Sequence, residues 1–159
     1  MTGTQLQNPP QAGDIAPEFT AASTSGSEVS LSSFRGKLNV LLAFFPLAFT
    51  GTCTKELVCF TEDFDQFAGH GVEILPISVD STASLREFKN KLQMKTELLS
   101  DFKRDISREY GVLNEDRFYS NRAYFLIDKE GRVRWSHIED KNGERRENSE
   151  IFAAIKLLS

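Results

Sequence analysis

Three residue types in one short stretch carry the chemistry that this chain can do unaided. Cys53 closes the octapeptide PLAFTGTC, which begins at Pro46 directly after the apolar run LNVLLAFF. The spacing P-x-x-x-T-x-x-C puts a proline, a hydroxyl and a thiol where a buried strand hands over to a helix. A thiol is most easily turned into a nucleophile at such a junction. An ordinary thiol, with a pKa of ~8.5, is about 3% ionised at pH 7, and a helix N-terminus with an arginine nearby brings it to ~6. Lower nucleophilicity takes back part of that roughly thirtyfold gain. The remaining acceleration has to come from groups that hold the substrate and stabilise charge on the departing atom. Thr50, three residues before Cys53, offers a hydroxyl that donates to the thiolate or accepts from a substrate proton. Pro46 fixes the loop and shields the sulfur from water. The amides from Gly51 to Cys53 serve as donors if the helix begins there. The same residues also read as a strand-ending proline, a capping threonine and a core cysteine, and spacing alone leaves both readings open.

The elements that must position this stretch follow from periodicity. Leu38 to Phe45 reads as a central strand, apolar on both faces as in a sheet covered by helices on each side. Helical spacing runs from Thr54 to Ala68, VEILPISV (Val72 to Val79) is a second buried strand, and Ser81 to Met94 a second amphipathic helix. Upstream, a Ser/Gly-rich centre between apolar-alternating flanks predicts a hairpin within APEFTAASTSGSEVSLSSFRGK. Downstream, Ile106 to Val112 is a short helix, Tyr124 to Ile127 and Arg132 to Ser136 are strands joined by the turn DKEG, and Asn148 to Leu158 is a last helix. This order predicts a thioredoxin-like α/β fold with a central mixed sheet, flanking helices and an N-terminal β-hairpin. Residues 1–12, with Pro9 and Pro10, read as a flexible leader, and residues 13–159 as a single domain.

Bulk properties narrow the function classes. The chain has 159 residues, 40% apolar and 26% charged, with a net charge of −4. One domain is the natural prior at this length. Lys and Arg are outnumbered by Asp and Glu, which argues against nucleic acid as a partner. The longest apolar run is broken by Pro46 and is too short to span a membrane. No secretory signal is visible at the N-terminus, so a cytoplasmic, reducing compartment is expected. Two cysteines do not staple a chain this long. Cys53 and Cys59, with His70 and His137, form no metal-ligand spacing, and neither a metal nor a cofactor is expected.

Beyond spacing, FFPLAFTGTCTKEL resembles the active-site signature of the peroxiredoxins. APEF, SLSSFRGK, PISVDS, LLSDF and NRAYFLIDKEGRVRW resemble further segments of that family in the family's order. The likeness extends from about Gly13 to the C-terminus. PLAFTG is closest to the AhpE-like one-cysteine group, and CTKE to the bacterioferritin-comigratory-protein (PrxQ) group. The resemblance implies a thiol peroxidase acting on hydrogen peroxide and organic hydroperoxides, with peroxynitrite as a further substrate. It implies that Cys53 is the peroxidatic cysteine, with Thr50 and Pro46 the other residues of its motif. Arg122 matches the distant arginine that activates the thiol and contacts peroxide; from its position alone it reads rather as a strand-edge arginine on the solvated rim. Glu56 matches a carboxylate that orients the site's arginines, and otherwise reads as a helix N-terminal glutamate facing the dipole. Family likeness also implies a possible homodimer packed through loops near the thiol, where Phe45 and Phe49 would line either the pocket or a subunit face.

Cys59 is the open question. On a helix from Thr54 to Ala68, the residues Leu57, Phe60, Phe64 and Phe67 form one stripe, and Cys59 falls about 120° from its middle. A thiol off the core stripe, six residues after a reactive cysteine, suits a resolving partner that condenses with the sulfenic acid. Six helical residues rise ~9 Å, whereas disulfide Cα atoms must come within ~7 Å. The first turn would therefore have to unwind. The PrxQ-type resolving cysteine stands five residues on, so the offset of six departs from that pattern. If Cys59 resolves, thioredoxin or a similar dithiol protein is the expected reductant; if not, an external thiol reduces the sulfenic acid directly. A disulfide reductase is disfavoured by the missing C-x-x-C, and a thiol-based redox sensor shares the chemistry but differs in rate.

Overall fold

The computed structural model describes residues 8–158. The leader expected over 1–12 therefore lies partly outside the described residues. By Gly13 the chain is already tied to the sheet, its N–H donating to the Val133 carbonyl at 2.7 Å.

The centre is β3 (Asn39–Phe44), which pairs in parallel with β4 (Val72–Ser78) and antiparallel with β8 (Ala123–Ile127). Its strict alternation sends Leu41 and Ala43 to one face and Val40, Leu42 and Phe44 to the other, and each face is the floor of its own core. The expected N-terminal hairpin is β1 (Thr20–Ser23) with β2 (Glu28–Ser30), antiparallel. It joins the main sheet through β5 (Leu99–Ser100), a two-residue strand that periodicity did not reveal. With β9 (Val133–Ile138) on the other edge, the seven strands run β2-β1-β5-β4-β3-β8-β9. The β8–β9 turn needs Gly131: its φ is +85°, and a Cβ there would meet the Arg35 guanidinium at 2.9 Å. A separate small hairpin is made by β6 (Leu113–Asn114) and β7 (Tyr119–Ser120).

The helices are α1 (Gly51–Glu62), α2 (Phe64–Gly69), α3 (Thr82–Leu92), α4 (Asp105–Glu109) and α5 (Asn148–Lys156). The helix expected from Thr54 to Ala68 is thus corrected at its start and by a break, while its far end falls at Gly69. It starts three residues earlier, so Cys53 lies inside its first turn, and it divides at Asp63. There the Asn148 side-chain amide donates both to the Cys59 carbonyl (3.0 Å) and to the Asp63 carboxylate (2.8 Å), which fastens the end of α1 to the start of α5. Phe67 stacks on Phe152 at 4.4 Å between centroids and meets Phe60 edge-on at 5.9 Å. Each such pair stabilises by about 0.5–1.5 kcal/mol beyond its burial. Together they hold α1, α2 and α5 on the face that carries Leu41 and Ala43. No helix among the described residues is long and apolar enough to cross a membrane.

Candidate active site

The site forms at the C-terminal end of β3, where open α/β sheets place their ligands. Pro46 is buried and ends the strand, and the Phe45 carbonyl next to it accepts from the Ser120 hydroxyl at 3.2 Å. The loop from Pro46 to Thr50 is then fixed from two sides. Asp80 accepts from the Ala48 N–H at 2.8 Å and from the Ser78 hydroxyl at 2.7 Å. Thr50 donates its hydroxyl to the Leu47 carbonyl at 2.8 Å. Phe49 takes a left-handed φ of 66° and packs on Phe88, with 51% of its surface exposed. It lies outside the walls around Cys53, so of the two places expected for it, the pocket is not the one it occupies.

Thr50 is the residue before the first helical one, and the Thr54 N–H donates to its carbonyl at 2.9 Å. The amides of Gly51, Thr52 and Cys53 have no acceptor within the helix, and their partial positive charge gathers around the first turn. Cys53 sits in that turn, 1% exposed, at the base of a pocket of about 220 Å³ whose walls include Pro46, Thr50, Tyr119 and Arg122. A larger concavity at the opposite end of β3, beside Asn39 and His70, has no cysteine, serine or threonine in its walls.

Arg122 reaches the sulfur from the neighbouring strand. It directly precedes β8, and the antiparallel register sets Ala123 opposite Phe44. Its side chain is 1% exposed, with Nη2 donating to Cys53 Sγ at 2.9 Å and Nη1 to Glu56 Oε1 at 2.9 Å. The Tyr124 hydroxyl donates to the other Glu56 oxygen. Glu56 is one helical turn after Cys53, so both face Arg122. Burial pushes the Glu56 carboxyl above its ordinary 4.5, while Arg122 and the Tyr124 hydroxyl pull it back. Burial draws the Arg122 guanidinium down, but Glu56 and then Cys53 more than offset it, so the group is held charged. Hydrogen bonds from a charged donor are about twice as strong as neutral ones when the acceptor is an anion.

Four of the sequence-predicted residues, Pro46, Thr50, Cys53 and Arg122, therefore share one pocket, and Glu56 lies behind it on Arg122. Cys59 is not among them. It is half-buried on the same uninterrupted helix as Cys53, and both thiols are free. Thr50 has its proton committed to Leu47, so its lone pairs are what it offers the pocket: an acceptor for a substrate O–H rather than a donor to the sulfur. Tyr119, Tyr124 and Asn142 also touch the site or its arginine and were not anticipated. Period-two alternation would have found Tyr124, since it shares a strand face with Arg122.

Comparisons with known proteins show the family. The family model described as the AhpC/TSA family matches residues 12–136. Peroxiredoxin Bcp of Escherichia coli is 34% identical over 139 residues, 84% of this chain and 87% of its own length. Peroxiredoxin 2 of Thermoplasma acidophilum is 36% identical over 153 residues, 92% of this chain and 75% of its own. The solved structure of the reduced 2-Cys peroxiredoxin of Plasmodium vivax matches with a TM-score of 0.87 at 35% identity, covering 94% of this chain and 82% of that one. The chain belongs to the AhpC/TSA family and is a peroxiredoxin, a thiol-dependent peroxidase.

Proposed function

We propose that Cys53 is the nucleophile that reduces hydrogen peroxide and organic hydroperoxides, and peroxynitrite by the same route. The observation that carries this assignment is the 2.9 Å contact between Arg122 Nη2 and Cys53 Sγ, with both groups buried and Cys53 in the first turn of α1. The thiolate attacks one peroxide oxygen; the S–O bond forms as the O–O bond breaks. The sulfur is oxidised to sulfenic acid, and the other oxygen leaves with the bonding pair, taking a proton as water or alcohol or, from peroxynitrite, departing as nitrite. Thr50 accepts the peroxide proton and so orients the attacked oxygen. Arg122 and the free amides of α1 stabilise the charge that develops on the oxygens. Pro46 keeps water off the sulfur, and Glu56 holds Arg122 in place.

Cys59 then resolves the sulfenic acid to an intramolecular disulfide with loss of water, and a thioredoxin-type dithiol protein in a reducing cytoplasm recycles it. Both cysteines lie on α1, ~9 Å of helical rise apart, so this step requires the helix to open. The rigid spacing favours a second reading, in which an external thiol reduces the sulfenic acid. Intact mass after one equivalent of hydrogen peroxide separates them. Rapid loss of two hydrogens, absent in Cys59→Ser, is the expected result. Gain of one oxygen in both proteins would make this a one-cysteine enzyme, and no rapid change in either would sink the assignment of Cys53.

The same pocket borders a surface suited to a second copy of this chain. Phe102 and Phe118 are 61% and 48% exposed, and the Arg104 guanidinium lies over both rings, 4.3 Å from the centre of Phe118. Phe118 precedes Tyr119 in the pocket wall. A homodimer through this face would bury the two rings.

A further inference from the structure

We propose that Asn142 is a positioning residue of the peroxide reaction, a strap that sets the plane of the Arg122 guanidinium against Cys53. The proposal rests on the assignment of Cys53 and Arg122 above. Asn142 lies in the connection between β9 and α5, beyond residue 136, where the family match ends.

Asn142 grips Arg122 at both ends. Its side-chain Oδ1 accepts from the Arg122 main-chain N–H at 3.0 Å. Its own carbonyl accepts from Arg122 Nε at 3.3 Å and Nη2 at 3.2 Å. A guanidinium is a rigid planar fork. The contacts of Nη1 to Glu56 and Nη2 to Cys53 define only a line, about which the plane is free to turn. The carbonyl of Asn142, on the Nε edge, supplies the third point and stops that rotation.

The connection that carries Asn142 is itself tied down to the same centre. Thr52, in the first turn of α1, donates to the Gly143 carbonyl at 3.4 Å. The Arg146 guanidinium holds the buried Glu139 carboxylate at 2.7 and 3.1 Å. The Arg146 main-chain N–H donates to the Tyr124 hydroxyl at 3.0 Å, and that hydroxyl donates in turn to Glu56. The loop therefore closes on Arg122 directly and on its carboxylate partner through Tyr124. The Asn142 side chain is the contact that ties this turn to the Arg122 main chain; without it, the carbonyl beside Nε is held only through its neighbours in the loop. Because Arg122 stays paired with Glu56, losing the strap changes where its donors point more than how much charge faces the sulfur.

The test compares two reactions of one thiol in a Cys59→Ser background: oxidation by hydrogen peroxide and alkylation by iodoacetamide at the same pH. Both need the thiolate, but only the first needs donors aimed at peroxide oxygens, so their rate ratio cancels ionisation. Asn142→Ala is expected to lower that ratio about tenfold. Asn142→Asp, which keeps the acceptor for the Arg122 N–H, is expected to restore it to within about threefold of the parent. A purely structural loop residue would alter stability and leave the ratio alone. If the alanine protein does not fold, Asn142→Gly removes the same acceptor from a turn and carries the same expectation. A ratio within twofold of the parent in Ala or Gly, or an equal fall in Ala and Asp, overturns the strap. Slow oxidation of the parent itself would instead overturn the assignment of Cys53.

Discussion

Glu56 is the residue whose ionisation most directly couples this site to the stability of the fold. Burial raises its carboxyl above 4.5, so between 4.5 and the raised value the folded protein binds a proton that the unfolded chain does not. The stability it contributes is fully present below pH 4.5 and is lost as pH rises through the folded value. Urea unfolding across this range should therefore show Glu56→Gln gaining on the parent with rising pH, at no more than about 1.4 kcal/mol per pH unit. A difference independent of pH would mean that the carboxyl titrates alike in both states. At this scale most of the site was legible. Spacing left Pro46, Thr50 and Cys53 open between a reactive loop and an ordinary capped strand end, and only the resemblance singled out Arg122; the structure brings the four to one pocket. Asn142 was not legible, because two of its three contacts with Arg122 use a main-chain carbonyl that any residue possesses. The bond of the Thr50 hydroxyl to the Leu47 carbonyl was also invisible in sequence, since it depends on a loop that contains the left-handed Phe49.

Among the elements, α1 matters most because it carries both thiols. Hydrophobic spacing rightly put Leu57, Phe60 and Phe67 on the core face, but it also put Phe64 there, which lies outside that cluster, and it missed the start at Gly51 and the break at Asp63. The stripe of Leu57, Phe60 and Phe67 runs on across the break, since α2 continues the apolar face of α1. Asn148, some 90 residues along, is bonded at the break between the two helices, and no local pattern encodes that contact. The two-residue strands β5, β6 and β7 were missed for a simpler reason: two residues have no period. Since Asn148 pins the Cys59 carbonyl and Asp63, opening of α1 is directed to the Gly51 end. Asn148→Ala should cost about 1 kcal/mol of stability and speed disulfide formation severalfold, followed by free-thiol titration after a peroxide pulse. Unchanged kinetics in a destabilised variant would show that the pinned end takes no part in the opening.

At the scale of the whole molecule, the exposed pair Phe102 and Phe118 predicts association with a second copy. Sedimentation velocity should give a dimer for the parent and a monomer for Phe102→Glu; identical coefficients would remove this face from consideration. The fold itself was largely legible, because alternation along β3, β4 and β8 fixes two core faces and so the layers around the sheet. The register that brings Arg122 to Cys53 also has a consequence for the timing of biogenesis. The two residues are 69 positions apart, and their contact depends on β8 docking against β3. Long-range pairings of this kind form late. During synthesis, Cys53 leaves the ribosome well before Arg122 does, and until β8 docks it lacks the guanidinium contact that the folded chain gives it. On the proposed roles of these two residues, full peroxide reactivity would mark the completion of folding.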